Sequence, residues 1–224
     1  LQLEQAQREL QYARAIQASL LPKEPLFAGD ARLDCVGRMC PAREVGGDFY
    51  DIYPLDAQHL FFVIADVCGK GLPAALFMVR SIAALRVQSA NEAQTPDYAA
   101  HLIARLNQDL CAHNDAQQFL TAFCGILDLG SLRLRYVNAG HNPPLLALGR
   151  GRFCYLDEPI SPIVGMVEGL NYHAGEVTLE RGSVLLLYTD GLSEARDERG
   201  EYLPLLPLAP LLTVTSVEDA LDGV

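Results

Sequence analysis

The sequence lacks an apolar run near the roughly 18 residues that a membrane-crossing helix requires. Its most leucine-rich stretch, residues 203–212, is interrupted by Pro204, Pro207 and Pro210. No segment reads as a signal peptide. Basic residues are in short supply: 17 Lys and Arg stand against 28 Asp and Glu, a formal net charge of −11. A nucleic-acid partner, which selects a basic face, is therefore not expected. Paired-cysteine spacing is missing as well. Cys35, Cys40, Cys68, Cys111, Cys124 and Cys154 include no Cys-x-x-Cys, and several lie in apolar segments. Reduced, buried thiols of a cytoplasmic protein are expected, not a disulfide frame or a zinc site. Repeats and low-complexity tracts are also absent. The chain begins at Leu1 rather than Met, and its first segment has linker character, so a fragment of a longer protein is expected.

What remains is an ordinary globular composition, half hydrophobic and a fifth charged. Residues 3–21 read as a helix. Leu3 and Leu10 stand one heptad apart, Ala6, Ala13 and Leu20 fill the complementary seam, and Pro22 ends it. Such a helix either packs on its own domain or dimerises and joins an upstream sensor, and fewer than three heptads leave both open. Strands are expected over 33–39, 49–53 and 60–66, the last a near-continuous apolar run suited to burial on both faces. Helices follow over 73–88 and, behind a Thr95-Pro96 cap and first turn, around Leu102, Ile103, Leu106 and Leu110. The period then returns to two, with strands over 119–129, 132–138, 145–148, 153–156, 175–179 and 183–188. Gly130-Ser131 and residues 149–151 read as turns. This order predicts an α+β fold: a β-sandwich of two mainly antiparallel sheets flanked by helices. The division expected is a linker or signalling helix over 1–22 and a catalytic domain over 23–224.

Three aspartates share a context. Asp48 follows Gly46-Gly47 at the start of a strand. Asp66 ends the apolar strand and opens Asp66-Val67-Cys68-Gly69-Lys70-Gly71. Asp190 ends a second apolar strand and precedes Gly191. An Asp before Gly at a strand end is by itself only a turn signal. Three of them on the most apolar strands point further. Gathered carboxylates repel one another and stay ionised only when cations compensate. Hard oxygen donors suit Mg²⁺ or Mn²⁺, and glycine lets a backbone carbonyl approach the ion.

These segments resemble the PPM, or type-2C, phosphatase superfamily in its bacterial SpoIIE/RsbU-like branch. The resemblance rests on five blocks in order, at residues 44–51, 65–76, 119–123, 138–144 and 188–195, with residues 16–22 as a leader. It implies a metal-dependent protein-serine/threonine phosphatase acting on phosphoserine or phosphothreonine of a signalling protein, such as an anti-sigma-factor antagonist. It implies two divalent cations, Mn²⁺ or Mg²⁺, held by Asp48, Asp66, the Val67 carbonyl and Asp190, with Asp66 bridging. Water activated between the ions would attack phosphorus in line, so no cysteine nucleophile is required. Implied partners are the phosphoprotein, an upstream sensor reached through the N-terminal helix, and a second copy of the chain.

The sequence departs from the family in three places. A fourth aspartate is usual on a last strand, yet the chain stops at Val224 before such a segment, and Asp219 and Asp222 lie in a stretch of helical character. The domain is thus expected to lack its last strand. Cys68 stands where many eukaryotic relatives place a histidine. Arg43 stands where some relatives place a phosphate-binding arginine, and either that role or a plain surface role suits it. His141, between Gly140 and Asn142, reads as a turn residue. Lys70 is no Walker lysine, because Ile64 occupies the first glycine position. Two other readings were weighed. A diguanylate cyclase would continue Gly46-Gly47-Asp48 with Glu-Phe, whereas Phe49-Tyr50 follows. A phosphatase-like module that binds phosphoproteins without turning them over would need no pair of ions.

Overall fold

Alternation along the strands sorts the chain into layers. In the computed structural model, which describes residues 2–23, 26–27, 29–41, 43–89, 95–148, 152–196 and 200–202, strand β1 spans Phe49–Pro54 and β2 spans His59–Val67. On β2, Phe61, Val63, Ala65 and Val67 enter one core while Phe62 and Ile64 enter another. This is the period-two division of a strand covered on both sides. Around this pair a six-stranded sheet runs β1-β2-β3-β4-β7, with β3 at Leu120–Asp128, β4 at Arg133–Ala139 and β7 at Ile160–Ser161. Strand β8, Gly175–Thr178, pairs the first half of β4, and β7 runs parallel to its last two residues. A second sheet of three antiparallel strands has the order β6-β5-β9, at Phe153–Tyr155, Leu145–Ala147 and Val184–Leu186.

Helices α2 (Leu72–Ser89) and α3 (Tyr98–Cys111) cover the outer face of the large sheet. Their apolar residues recur three or four apart, as in Ala74, Phe77, Met78, Ile82, Leu85 and Leu102, Ile103, Leu106, Leu110. The other core lies between the sheets, where Phe62, Phe123, Leu134 and Tyr136 meet Leu146, Leu185 and Leu187. Phe123 stacks on Tyr136 at 5.2 Å and on Phe62 at 6.3 Å. The expected α+β sandwich with flanking helices is therefore present. Helix α1, Gln2–Leu20, precedes it and touches the core near its C-terminal end, through Gln17 beside Met78, Leu20 and the following Leu21. Its predicted seam is divided: Leu10, Ala13 and Leu20 are half-buried, whereas Ala6 and Leu3 are exposed, Leu3 at 72%.

Several expectations change. Residues 33–39 form no strand. Cys35 makes an isolated bridge to Leu26, and the Tyr50 hydroxyl donates to the Gly37 carbonyl at 3.0 Å, so this segment lies across a β1 side chain instead of joining a ladder. Thr95-Pro96 makes a turn rather than the cap, and α3 starts at Tyr98 behind Asp97. The second apolar strand ends at Leu186, not Asp190, because its partner β5 begins at Leu145, which pairs Leu186. Asp190 instead opens a short helical turn, α4, Asp190–Ser193. The two-residue strand β7 was not foreseen. All six cysteines are free, but Cys124 alone is buried, and Cys40, Cys68 and Cys154 are exposed. Among the described residues no helix is long and apolar enough to cross a membrane. Residues 149–151 and the tail from 203, with Asp219 and Asp222, lie outside the described residues.

Gly125 interrupts β3 where side-chain packing should favour something larger. Its register partner is Phe62, and a Cβ built there would stand 2.4 Å from that ring. Gly125→Ala is expected to lower stability by about 1–3 kcal/mol through overpacking, read as a lower urea midpoint.

Candidate metal centre

Strands β1 and β2 are antiparallel with Phe49 opposite Ala65. Continuing that register by one residue sets Asp48 against Asp66, at the end where β2 leaves the sheet and β1 enters it. Both share parity with Ile52 and Ile64, which face the sandwich interior. Asp190 reaches the same end from the opposing sheet, four residues beyond Leu186 of β9. The carboxyls of Asp48 and Asp66 are close enough to share a hydrogen bond, and Asp66 feels the charge of Asp190. Three residues separated by up to 142 positions in sequence thus meet at one rim of the sandwich.

The electrostatics follow from that crowding. The Asp66 carboxyl is pushed up to about 7, first by desolvation, then by the charge and hydrogen bond of Asp48, then by Asp190, while Lys70 pulls it down. Like charges in a half-buried place cannot all ionise without compensation. Among the described residues, no three His, Cys, Asp or Glu side chains close into a ready-made metal cluster. The donors converge without forming a cage, as suits hard ions that keep several waters and take only one or two carboxylates each.

The backbone sets the Val67 carbonyl against the segment that leads into Asp48. A Cβ at Gly47 would stand 2.8 Å from the Val67 carbonyl oxygen and 3.3 Å from the Cβ of Ala74. Glycine is thus needed for β2 and α2 to approach the segment that carries Asp48. The donor set of three carboxylates and a carbonyl is all hard oxygen and fits Mg²⁺ or Mn²⁺.

Supporting contacts that the sequence did not reveal hold these donors. Thr189, at the N-cap position of α4, makes no cap hydrogen bond with its side chain; it donates to Asp48 Oδ2 at 2.7 Å. This ties the two sheets together at the site. His141 is buried, 6% exposed, rather than a surface turn residue. Its Nδ1 lies 2.8 Å from Thr121 Oγ1, and Thr121 is the register partner of Asp66. Burial lowers the ring to about 4 despite nearby Asp48, so it is neutral at pH 7. Its Nε2 is buried without a hydrogen-bond partner among the described residues; the Tyr188 backbone lies near but out of bonding geometry. The Asn138 side chain accepts from the His141 amide, and Asn142 Nδ2 donates to Ser193 Oγ at 3.0 Å, joining this loop to α4. The period-two pattern marks a strand end but not which distant hydroxyl will face it, so Thr121 and Thr189 carried no signal. Arg43 is exposed in the bend before Val45, and Cys68 and Lys70 are exposed beside Asp66.

Comparison with known proteins agrees with this architecture. The family profile of Stage II sporulation protein E (SpoIIE) matches residues 56–224. The chain belongs to that family. It is 31% identical over 229 residues to Protein IcfG of Synechocystis sp., covering 92% of this chain and 36% of that protein. It is 29% identical over 192 residues to the phosphoserine phosphatase RsbU of Bacillus subtilis, covering 86% of this chain and 55% of that one. The chain therefore spans between about a third and just over half of these relatives' lengths. Among solved structures, the SiaA-PP2C domain of Pseudomonas aeruginosa superposes with a TM-score of 0.79 at 22% identity, covering 99% of this chain and 89% of that one. The fold is that of a PP2C-type domain.

The raised Asp66 carboxyl sets a pH dependence. Its folded pKa of about 7 exceeds the usual aspartate value near 4, so between those values the folded, cation-free protein holds the extra proton. That contribution to stability is present at the acid end and is lost as pH rises through about 7. A divalent cation must displace the same proton. Mn²⁺ affinity, measured by calorimetric titration, is expected to fall roughly tenfold between about pH 8 and about pH 6. Gly47→Ala, which presses a methyl group against the Val67 carbonyl, is expected to weaken Mn²⁺ binding by about tenfold in the same measurement.

Proposed function

We propose that this chain is a metal-dependent protein-serine/threonine phosphatase domain that hydrolyses phosphoserine or phosphothreonine on a bacterial signalling protein. The observation that carries the reading is the meeting of Asp48, Asp66 and Asp190 at one rim of a PP2C-type sandwich, with Asp66 held near 7 by its neighbours. Membership of the SpoIIE family and likeness to a phosphoserine phosphatase support it.

In this reading Asp48, Asp66, Asp190 and the Val67 carbonyl would hold two divalent ions, Mn²⁺ or Mg²⁺. The ions supply activation of water and neutralisation of phosphoryl charge. The chain supplies the rest. Asp66 gives up its shared proton when the site loads. Thr189 fixes Asp48 Oδ2, and neutral His141 buttresses β3 beside Asp66 without adding charge. Arg43, exposed and five residues before Asp48, is assigned the phosphate-binding role, because a planar guanidinium suits two phosphoryl oxygens. With exposed Cys68 where many relatives have a histidine, protonation of the departing oxygen falls to water or another group.

The substrate class proposed is an anti-sigma-factor antagonist carrying phosphoserine, in keeping with likeness to the phosphoserine phosphatase RsbU. The cytoplasm is the proposed location. Helix α1, whose Leu3, Tyr12 and Ile16 are exposed, is proposed to join an upstream sensor or a second copy of the chain. A binding module without turnover is the second reading, favoured only by the open arrangement of the carboxylates. A diguanylate cyclase has no support from the family assignment.

The deciding experiment is Mn²⁺-dependent hydrolysis of a phosphoserine protein. Asp66→Asn is expected to lower turnover by about a hundredfold or more, because the ions contribute several kcal/mol of transition-state stabilisation. Tight phosphoprotein binding with no metal-dependent turnover in the unmodified chain would establish the binding module instead.

A further inference from the structure

Helix α1 is almost entirely solvent-exposed, and of its described side chains Gln17 alone is buried, at 3% exposure. A helix that merely docks through one residue would be expected to bury a leucine there. Burying an amide is unfavourable unless each of its polar atoms finds a partner. Both do. Gln17 Nε2 donates to the Gly46 carbonyl at 2.6 Å, and Gln17 Oε1 accepts from the Gly46 amide at 3.1 Å. The side-chain amide thus pairs with both backbone groups of one residue, fixing that residue's orientation as well as its position. Gln17 Nε2 also lies 3.4 Å from the sulfur of Met78, which is fully buried in α2.

The residue so held is followed by Gly47, packed on the Val67 carbonyl, and then by Asp48. A second tie keeps α1 in register with this arrangement. Arg86 on α2 donates from Nε to Asp51 of β1 at 2.7 Å and from Nη2 to the Leu20 carbonyl, at the end of α1, at 2.6 Å. The end of α1 is therefore anchored to the same strand that Asp48 precedes.

We infer that Gln17 is a positioning residue of the metal centre: by clamping Gly46 it sets where Asp48 presents its carboxylate to a divalent cation. Helix α1 then supplies a working part of the site, and the functional boundary falls before Gln17 rather than after Pro22. The inference rests on the proposed role of Asp48 as a ligand. It concerns the Gly46 backbone, so it is measurable without turnover.

The test uses the whole chain with Gln17→Met, which keeps the length of the side chain and removes both polar atoms. Three quantities are read: Mn²⁺ affinity by calorimetric titration, hydrogen exchange of the Gly46–Asp48 segment, and the melting temperature. Mn²⁺ affinity is expected to fall roughly ten- to a hundredfold, the usual consequence of losing a group that orients a ligand. Exchange at Gly46 is expected to accelerate, and turnover at saturating Mn²⁺ to persist. Gln17→Glu, which keeps an acceptor for the Gly46 amide but sets an oxygen against its carbonyl, should also weaken Mn²⁺ binding. It serves as the readout if the Met variant does not fold. Gln11→Ala, at an exposed position of α1, should change none of the three. Faster exchange at Gly46 with unchanged Mn²⁺ affinity would overturn the inference and leave Gln17 a docking contact. Unchanged exchange would overturn it as well. If the unmodified chain takes up no Mn²⁺, the metal-centre reading itself fails, and the inference fails with it.

Discussion

Two carboxylates that face one another across neighbouring strands repel, and the arrangement at this sheet end depends on that repulsion being tolerated. Asp48 stands close enough to Asp66 to share a proton with it, Asp190 adds a third charge, and desolvation raises the cost of ionisation. A protein that needed only a stable strand end would place a Ser, Asn or Gly there. The unfavourable cluster persists because the surrounding structure over-determines it. Two cores, Thr189 bridging to Asp48, Asn142 bridging to Ser193 and the Gly47 contact all hold the carboxyls in place. In the proposed metal centre these contacts hold the rim ready for positive charge, and the raised Asp66 carboxyl is the group through which pH enters.

The sandwich explains how such precision arises at an edge. The rim lies where the six-stranded sheet and the three-stranded sheet both end. The rings of Phe62, Phe123 and Tyr136, stacked along the large sheet, fill the core between them together with Leu146, Leu185 and Leu187. Because Asp190 enters from the smaller sheet, any change in the spacing of the sheets moves it relative to Asp48 and Asp66. Helices α2 and α3 stiffen the opposite face, and Arg86 connects α2, β1 and α1 through Asp51, which is buried at 4% exposure. A buried aspartate paired with arginine resists removal of either partner, so this link behaves as a fixed joint between the layers.

Much of the fold was legible because it is written in periodicity. The continuous apolar character of residues 60–66 marked β2 as doubly covered, and three- and four-residue spacing located α2 and α3. The failures have a common cause. Residues 33–39 alternate well enough for a strand but join no ladder: the Tyr50 side chain, not the backbone of β1, takes the Gly37 carbonyl. Strand β9 stopped early because β5 does not extend far enough to pair it. Cys40, Cys68 and Cys154 sit among apolar neighbours in sequence yet lie at the surface. In each case the partner, not the segment itself, decided the outcome.

By itself the sequence singled out Asp48, Asp66 and Asp190 as carboxylates beside glycine near apolar strands, and the five blocks in family order gave them a role as ligands; it did not place Asp190 correctly, since that residue opens a helical turn four residues beyond the end of its strand. It also determined the fold class, because hydrophobic period reports which faces must be buried. Only the tertiary structure decided that the three carboxyls share one rim and that Thr189 turns from its own helix to Asp48. It decided too that His141 is buried and neutral, and that the one buried residue of an exposed helix is an amide clamped to Gly46. The physical reason is range. Periodicity is set by neighbours three or four residues away, whereas these contacts join residues 20 to 142 positions apart. Their geometry exists only after the sheets have closed on their cores.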